Sequence, residues 1–79
     1  MEIPKLDTGK CSLIISDYST GIILNKDYSS YLNSGDDYFY VVESEEQAFK
    51  LAESKLLEKG NIEVAVYNHK GDFIRVFRP

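Results

Sequence analysis

YFYVVESEEQAFKLAESKLLEKGNIEVAVYNHKGDFIRVFRP, residues 38–79, decides the fold of this chain, because three different hydrophobic patterns follow one another in it. The run from Tyr38 to Glu43 is short, aromatic and β-branched, which predicts a strand. Ser44 ends it: its hydroxyl can accept from the Gln47 amide while Gln47 reaches back to the Ser44 amide, a capping box that opens a helix at Glu45. Glu45 and Glu46 sit at the positive end of the helix dipole, Lys59 sits at the negative end, and Gly60 can take the positive φ that closes a helix. Phe49, Ala52 and Leu56, widened by Ala48 and Leu57, form the stripe that this helix is expected to bury.

After Gly60 the period drops to two. Ile62, Val64 and Val66 alternate with Glu63, Ala65 and Tyr67, Asn68 to Asp72 supply a turn around Gly71, and Phe73 to Arg78 alternate again, so the segment predicts a β-hairpin. Ile74 and Val76 are expected to join Ile62, Val64 and Val66 beneath the helix, leaving Phe73, Arg75 and Phe77 on the second face of the sheet. That second face then requires a cover, from the first half of the chain or from another chain.

Working outward to the N-terminal half, Ser12 to Ser16 and Gly21 to Leu24 read as two strands around an Asp17–Thr20 loop. Asp27 to Gly35 reads either as a short helix capped by Asp27 or as an ordered loop, and Asn33 to Asp37 as a turn. Residues 1–10 carry no pattern and are expected to be loosely held, with Pro4 opposing an interior strand. The expectation is one α+β domain over residues 1–79, in the order β-β-(short α or loop)-β-α-β-β, with four or five strands in a mostly antiparallel sheet, the crossover making it mixed, and the long helix on one face.

Composition bounds the class. At 79 residues the core is small, and 43% hydrophobic residues with six tyrosines and four phenylalanines argue for a folded domain rather than a disordered one. A single cysteine, Cys11, excludes an internal disulfide, and no apolar run approaches a membrane span, so a cytoplasmic setting without membrane association is expected. The net charge is −4, and three of those four negative charges fall in residues 1–37. This sign repels phosphate backbones and disfavours nucleic acid, unless Lys59, Lys70, Arg75 and Arg78 cluster, and it attracts a basic protein.

The candidate chemistry is sparse. His69 with Asp72 could form a base and its orienting carboxylate, and Cys11 could be a nucleophile paired with His69 in space, but a turn histidine is more often solvated and a small thiol beside a strand more often packed. Asp17, Asp27, Asp36 and Asp37 offer hard oxygen atoms, yet without the spacing of a cation loop, and aspartates in turns commonly bond their own backbone. No catalytic residue, cofactor or metal is expected. What rises above this background is tyrosine beside acid: Asp17, Tyr18, Tyr28, Tyr31, Asp36, Asp37 and Tyr38 suggest an acidic, aromatic face for a basic protein partner. By size and charge, that is the design of an inhibitor or a toxin-neutralising immunity protein. The competing expectation is a homodimeric structural or small-ligand module associating through Tyr67, Phe73, Arg75 and Phe77.

Overall fold

A computed structural model describes residues 2–79; of the expectation for the first ten residues, Met1 lies outside the described residues. The chain forms β1 (Cys11–Asp17), β2 (Ile23–Leu24), β3 (Phe39–Val42), α1 (Glu45–Lys59), β4 (Ile62–Tyr67) and β5 (Phe73–Phe77). The central strand is β1. One of its edges pairs with β4, and the other is shared by β3, opposite residues 11–14, and β2, opposite residues 15–16; β5 then pairs with β4. Every pairing is antiparallel. The crossover through α1 does leave β3 and β4 running in the same direction, but β1 lies between them, so the expected mixed sheet has no parallel pair. The expected alternative of a helix over 27–35 gives way to the ordered loop: this segment holds turns and one bridge, Leu24 to Ser30.

The cap of α1 forms as the sequence predicts on one side only. The Ser44 hydroxyl accepts from the Gln47 amide at 3.2 Å, whereas the Gln47 side chain accepts from the Glu43 amide at 3.0 Å rather than from Ser44. Such a cap stabilises a helix by about 1 kcal/mol. At the other end Gly60 takes φ 91° and its amide donates to the Leu56 carbonyl. The buried stripe needs one correction: Leu57 is 90% exposed, and Ala48 and Ala52 are the residues fully covered. At about 100° per residue, Leu57 lies roughly 160° from the midpoint of those two alanines. Its side chain therefore points into water. The small alanines let α1 sit close over Cys11, Leu13 and Ile15 of β1 and Ile62, Val64 and Val66 of β4, with Phe49, Leu51 and Leu56 packed around them.

The faces of the closing hairpin are the principal correction. Residues opposite one another in an antiparallel pair share a face. Phe77 lies opposite Val64 and Arg75 opposite Val66, so both are on the helix side, while Val76, opposite Ala65, is on the other. Phe77 belongs to the core at 6% exposure, its ring 5.4 Å from that of Phe49. Arg75 accompanies it because its guanidinium lies over both rings, 4.3 Å from Phe77 and 5.4 Å from Phe49, keeping charge near solvent while the stem packs. Ile74 has no counterpart on β4, since the register passes from Val66–Arg75 to Tyr67–Phe73, yet it packs against the core of Ile62, Val64 and Val66 as expected. This bulge reverses the alternation. Phe73 is thereby returned to the outer face beside Tyr67, 59% exposed.

Over β1 the second face is covered: Ser12 and Ile14, which point there, are both buried. Phe39 lies opposite Ile14 on that face and Val41 opposite Ser12. Tyr38 is buried against Tyr31 and Phe39, with ring centroids 4.6 and 5.0 Å away, and its hydroxyl donates to the Glu2 carbonyl at 2.6 Å. The Leu6 amide donates to the His69 carbonyl at 2.9 Å, and Ile3 rests on Gly71 so closely that a Cβ there would stand 3.4 Å from its Cγ2. Residues 2–6 are thus held at three points without regular structure.

Candidate functional site

Asp17 closes β1 and shapes the next turn, its carboxylate accepting from the Ser19 and Thr20 amides at 2.9 and 3.0 Å. Asp27 does the same for Ser29, and those bonds hold its carboxyl below the ordinary range. These two acids are engaged in local structure. Tyr18 stands half-exposed beyond β1, its amide donating to the Asn61 carbonyl.

Tyr28 is also committed to the fold. The Asn25 amide donates to the Ser29 carbonyl and the Tyr28 amide to the Asn25 carbonyl, a tight turn that requires positive φ at its fourth residue; Tyr28 takes φ 68°. The left-handed region costs a residue with a Cβ roughly 1 to 2 kcal/mol, which packing and bonding must offset. The phenol donates to Glu58 at 2.9 Å, the Lys59 ammonium lies 5.3 Å from the ring centre, and the side chain packs against the core beneath α1. Tyr40 beside it lies within 5.4 Å of the ammonium groups of both Lys26 and Lys55. None of these pairings, 14 to 31 residues apart, leaves a local sequence signal.

Burial, then the bond to Glu58 and its negative charge, push the Tyr28 hydroxyl up to about 12, and burial also raises Tyr38. A raised phenol stabilises the fold below the ordinary value near 10, and that contribution is lost as pH rises through the folded value. Stability should therefore fall between about pH 10 and 12. In an alkaline absorbance titration Tyr28 and Tyr38 should ionise late; Tyr28→Phe should remove one late step and flatten the loss of stability. A titration that Tyr28→Phe leaves without losing a late step would contradict the assignment.

Tyr31, Asp36 and Asp37 belong to a loop whose ends are pinned: the Tyr31 amide donates to the Ile23 carbonyl and the Lys26 amide to the Asp37 carbonyl, each at 2.8 Å. Between them Asn33 and Gly35 take positive φ and Leu32 is 79% exposed. Among the described residues neither Asp36 nor Asp37 is paired with a basic side chain, whereas Asp7, Glu43, Glu46, Glu58 and Glu63 are. Of the seven residues of the expected face, the structure thus leaves Tyr18, Asp36 and Asp37 exposed and Tyr31 half-buried, and commits Asp17, Tyr28 and Tyr38 to the fold. The competing set separates, Tyr67 and Phe73 on the outer face and Arg75 and Phe77 on the helix side.

The candidates for chemistry stand apart from this loop. Cys11 is buried under α1, and burial with the Glu45 carboxylate pushes its thiol up, away from the thiolate that a nucleophile needs. His69 and Asp72 serve the hairpin turn, His69 through the carbonyl that holds Leu6 and Asp72 through the carbonyl that accepts from Asn68. Among the described residues no group of three or more His, Cys, Asp or Glu is placed to hold a metal, and no helix is long and apolar enough to cross a membrane. Of the basic residues considered above, Arg78 is held by Glu63, Arg75 by two phenylalanine rings and Lys59 by Tyr28. Compared with known proteins, the chain matches no family model, no curated protein and no solved structure.

Proposed function

We propose that this chain is a small non-catalytic module that binds a basic protein, in the manner of an inhibitor or an immunity protein, through the loops bearing Tyr18, Tyr31, Asp36 and Asp37. The observation that carries the reading is the pair Asp36 and Asp37: two adjacent exposed carboxylates without cationic partners among the described residues, on a loop fixed at both ends. Pinned ends reduce the ordering cost of binding, and unpaired rim carboxylates accelerate encounter with a cationic surface. Tyr31, its ring tilted 47° against that of Tyr38, offers a pre-positioned aromatic edge on the same loop.

The test is affinity capture on the immobilised chain, with retained proteins identified and then measured in purified form against wild type and the double variant Asp36→Lys/Asp37→Lys. Basic proteins should be retained at low salt and weakened about tenfold or more by the reversal, or ~1.4 kcal/mol. Retention of the same proteins with the same affinity by both chains, or capture of none, would overturn the proposal.

A further inference from the structure

We infer that the outer edge of β5 is guarded against pairing with another strand, a second copy of this chain first of all, by the bulge at Ile74 and the helix-side placement of Arg75. A sheet edge is a row of backbone groups ready to pair, and proteins blunt it with short strands, bulges and inward-pointing charges. One edge of this sheet is divided between two-residue β2, bridged further to Ser30, and four-residue β3. The opposite edge is β5, five residues long with β4 on one side only, and it carries both remaining devices.

The bulge leaves Ile74 without a counterpart on β4 and reverses the faces of the residues before it, so a straight incoming strand can match the edge on one side of Ile74 but not along its length. Arg75, the middle residue of β5, keeps its guanidinium over Phe77 and Phe49 while remaining exposed overall. In a twofold antiparallel pairing centred on the strand, Arg75 would face Arg75 of the other copy. Like charges set directly opposite are destabilising. An off-centre pairing avoids that contact but shortens the ladder and still draws water from the guanidinium.

The test compares wild type, Arg75→Lys, Arg75→Val, Arg75→Thr and a deletion of Ile74 by light scattering over a concentration series, with amide exchange read along β5. Wild type and Arg75→Lys should remain monomeric. The two uncharged replacements and the deletion should associate at concentrations lower by about tenfold or more, with new protection confined to amides of residues 73–77. Should the deletion fail to fold, the Val and Thr variants decide. The inference is overturned if both stay monomeric throughout, if wild type already associates with protected β5 amides, or if association leaves those amides unprotected.

Discussion

Phe77→Ala should lower the stability of this chain by about 3 to 5 kcal/mol, the range for truncating a buried aromatic, while Phe73→Ala should cost less than about 1 kcal/mol. Phe77 is 6% exposed and packs between Val64, opposite it on β4, and the Phe49 ring of α1. Its removal opens a cavity in the one layer that joins helix to sheet. Phe73 loses only its edge contact with Tyr67, 6.0 Å between ring centroids, on a face already wet. For a domain of this length 1 kcal/mol moves the midpoint of thermal unfolding by roughly 4 to 8 °C, so a difference of about 2 kcal/mol or more should separate the two variants by at least about 8 °C. Urea titration at constant slope measures the same difference. If Phe77→Ala is too unstable to titrate, Phe77→Leu should still fall below Phe73→Ala. Equal losses at the two positions would mean that both phenylalanines share a face, as strict alternation from Phe73 to Phe77 would require.

That experiment isolates the place where the sequence was hardest to read. Alternation establishes that β5 has two faces, but a single bulge at Ile74 exchanges the faces on either side of it, and bulges leave no reliable mark in composition. A strand with apolar residues in both registers, Ile74 and Val76 in one and Phe73 and Phe77 in the other, can be assigned either way until the partner register is known. Arg75 added to the ambiguity, since a charge on the helix side is acceptable only because two rings receive it. The helix, by contrast, was legible to the residue, Glu45 to Lys59, because its ends are marked by local chemistry at Ser44, Gln47 and Gly60.

The turns make the same point. Asn68 to Asp72 and Asn25 to Ser29 are bonded alike, the asparagine amide donating to the fifth residue's carbonyl and the fourth residue's amide donating to the asparagine carbonyl. In the first, Gly71 occupies the position of positive φ and the turn is legible; in the second Tyr28 occupies it, and a helix over 27–35 remained open as an alternative. Tyr28 is there because its ring and hydroxyl meet Lys59 and Glu58, thirty residues away in the chain. The candidate face divided for a related reason. Tyrosine next to aspartate has the same appearance in sequence whether the pair is exposed, as at Tyr18, or holds the fold together, as at Tyr28 and Tyr38.

Tyr38→Ala should cost about 3 kcal/mol, second only to Phe77→Ala among the changes considered, and Tyr38→Phe about 0.5 to 1.5 kcal/mol. Tyr38 is 7% exposed and packs on Tyr31 and Phe39, so its loss opens a cavity beside Phe39, which lies opposite Ile14 on the second face. The hydroxyl donates to the Glu2 carbonyl at 2.6 Å, the bond that holds the start of the N-terminal segment against the sheet. A double cycle separates that bond from the ring. In a chain lacking residues 1–4, Tyr38→Phe should cost nothing, because the phenol has already lost its acceptor, and it should be slightly favourable if the hydroxyl stays buried. The coupling between truncation and substitution is then about 1 kcal/mol. Exchange of the Leu6 amide, bonded to His69, should quicken in Tyr38→Phe if residues 2–6 lift together. Unchanged Leu6 exchange and additive costs would instead mean that the His69 and Gly71 contacts hold the segment without Tyr38.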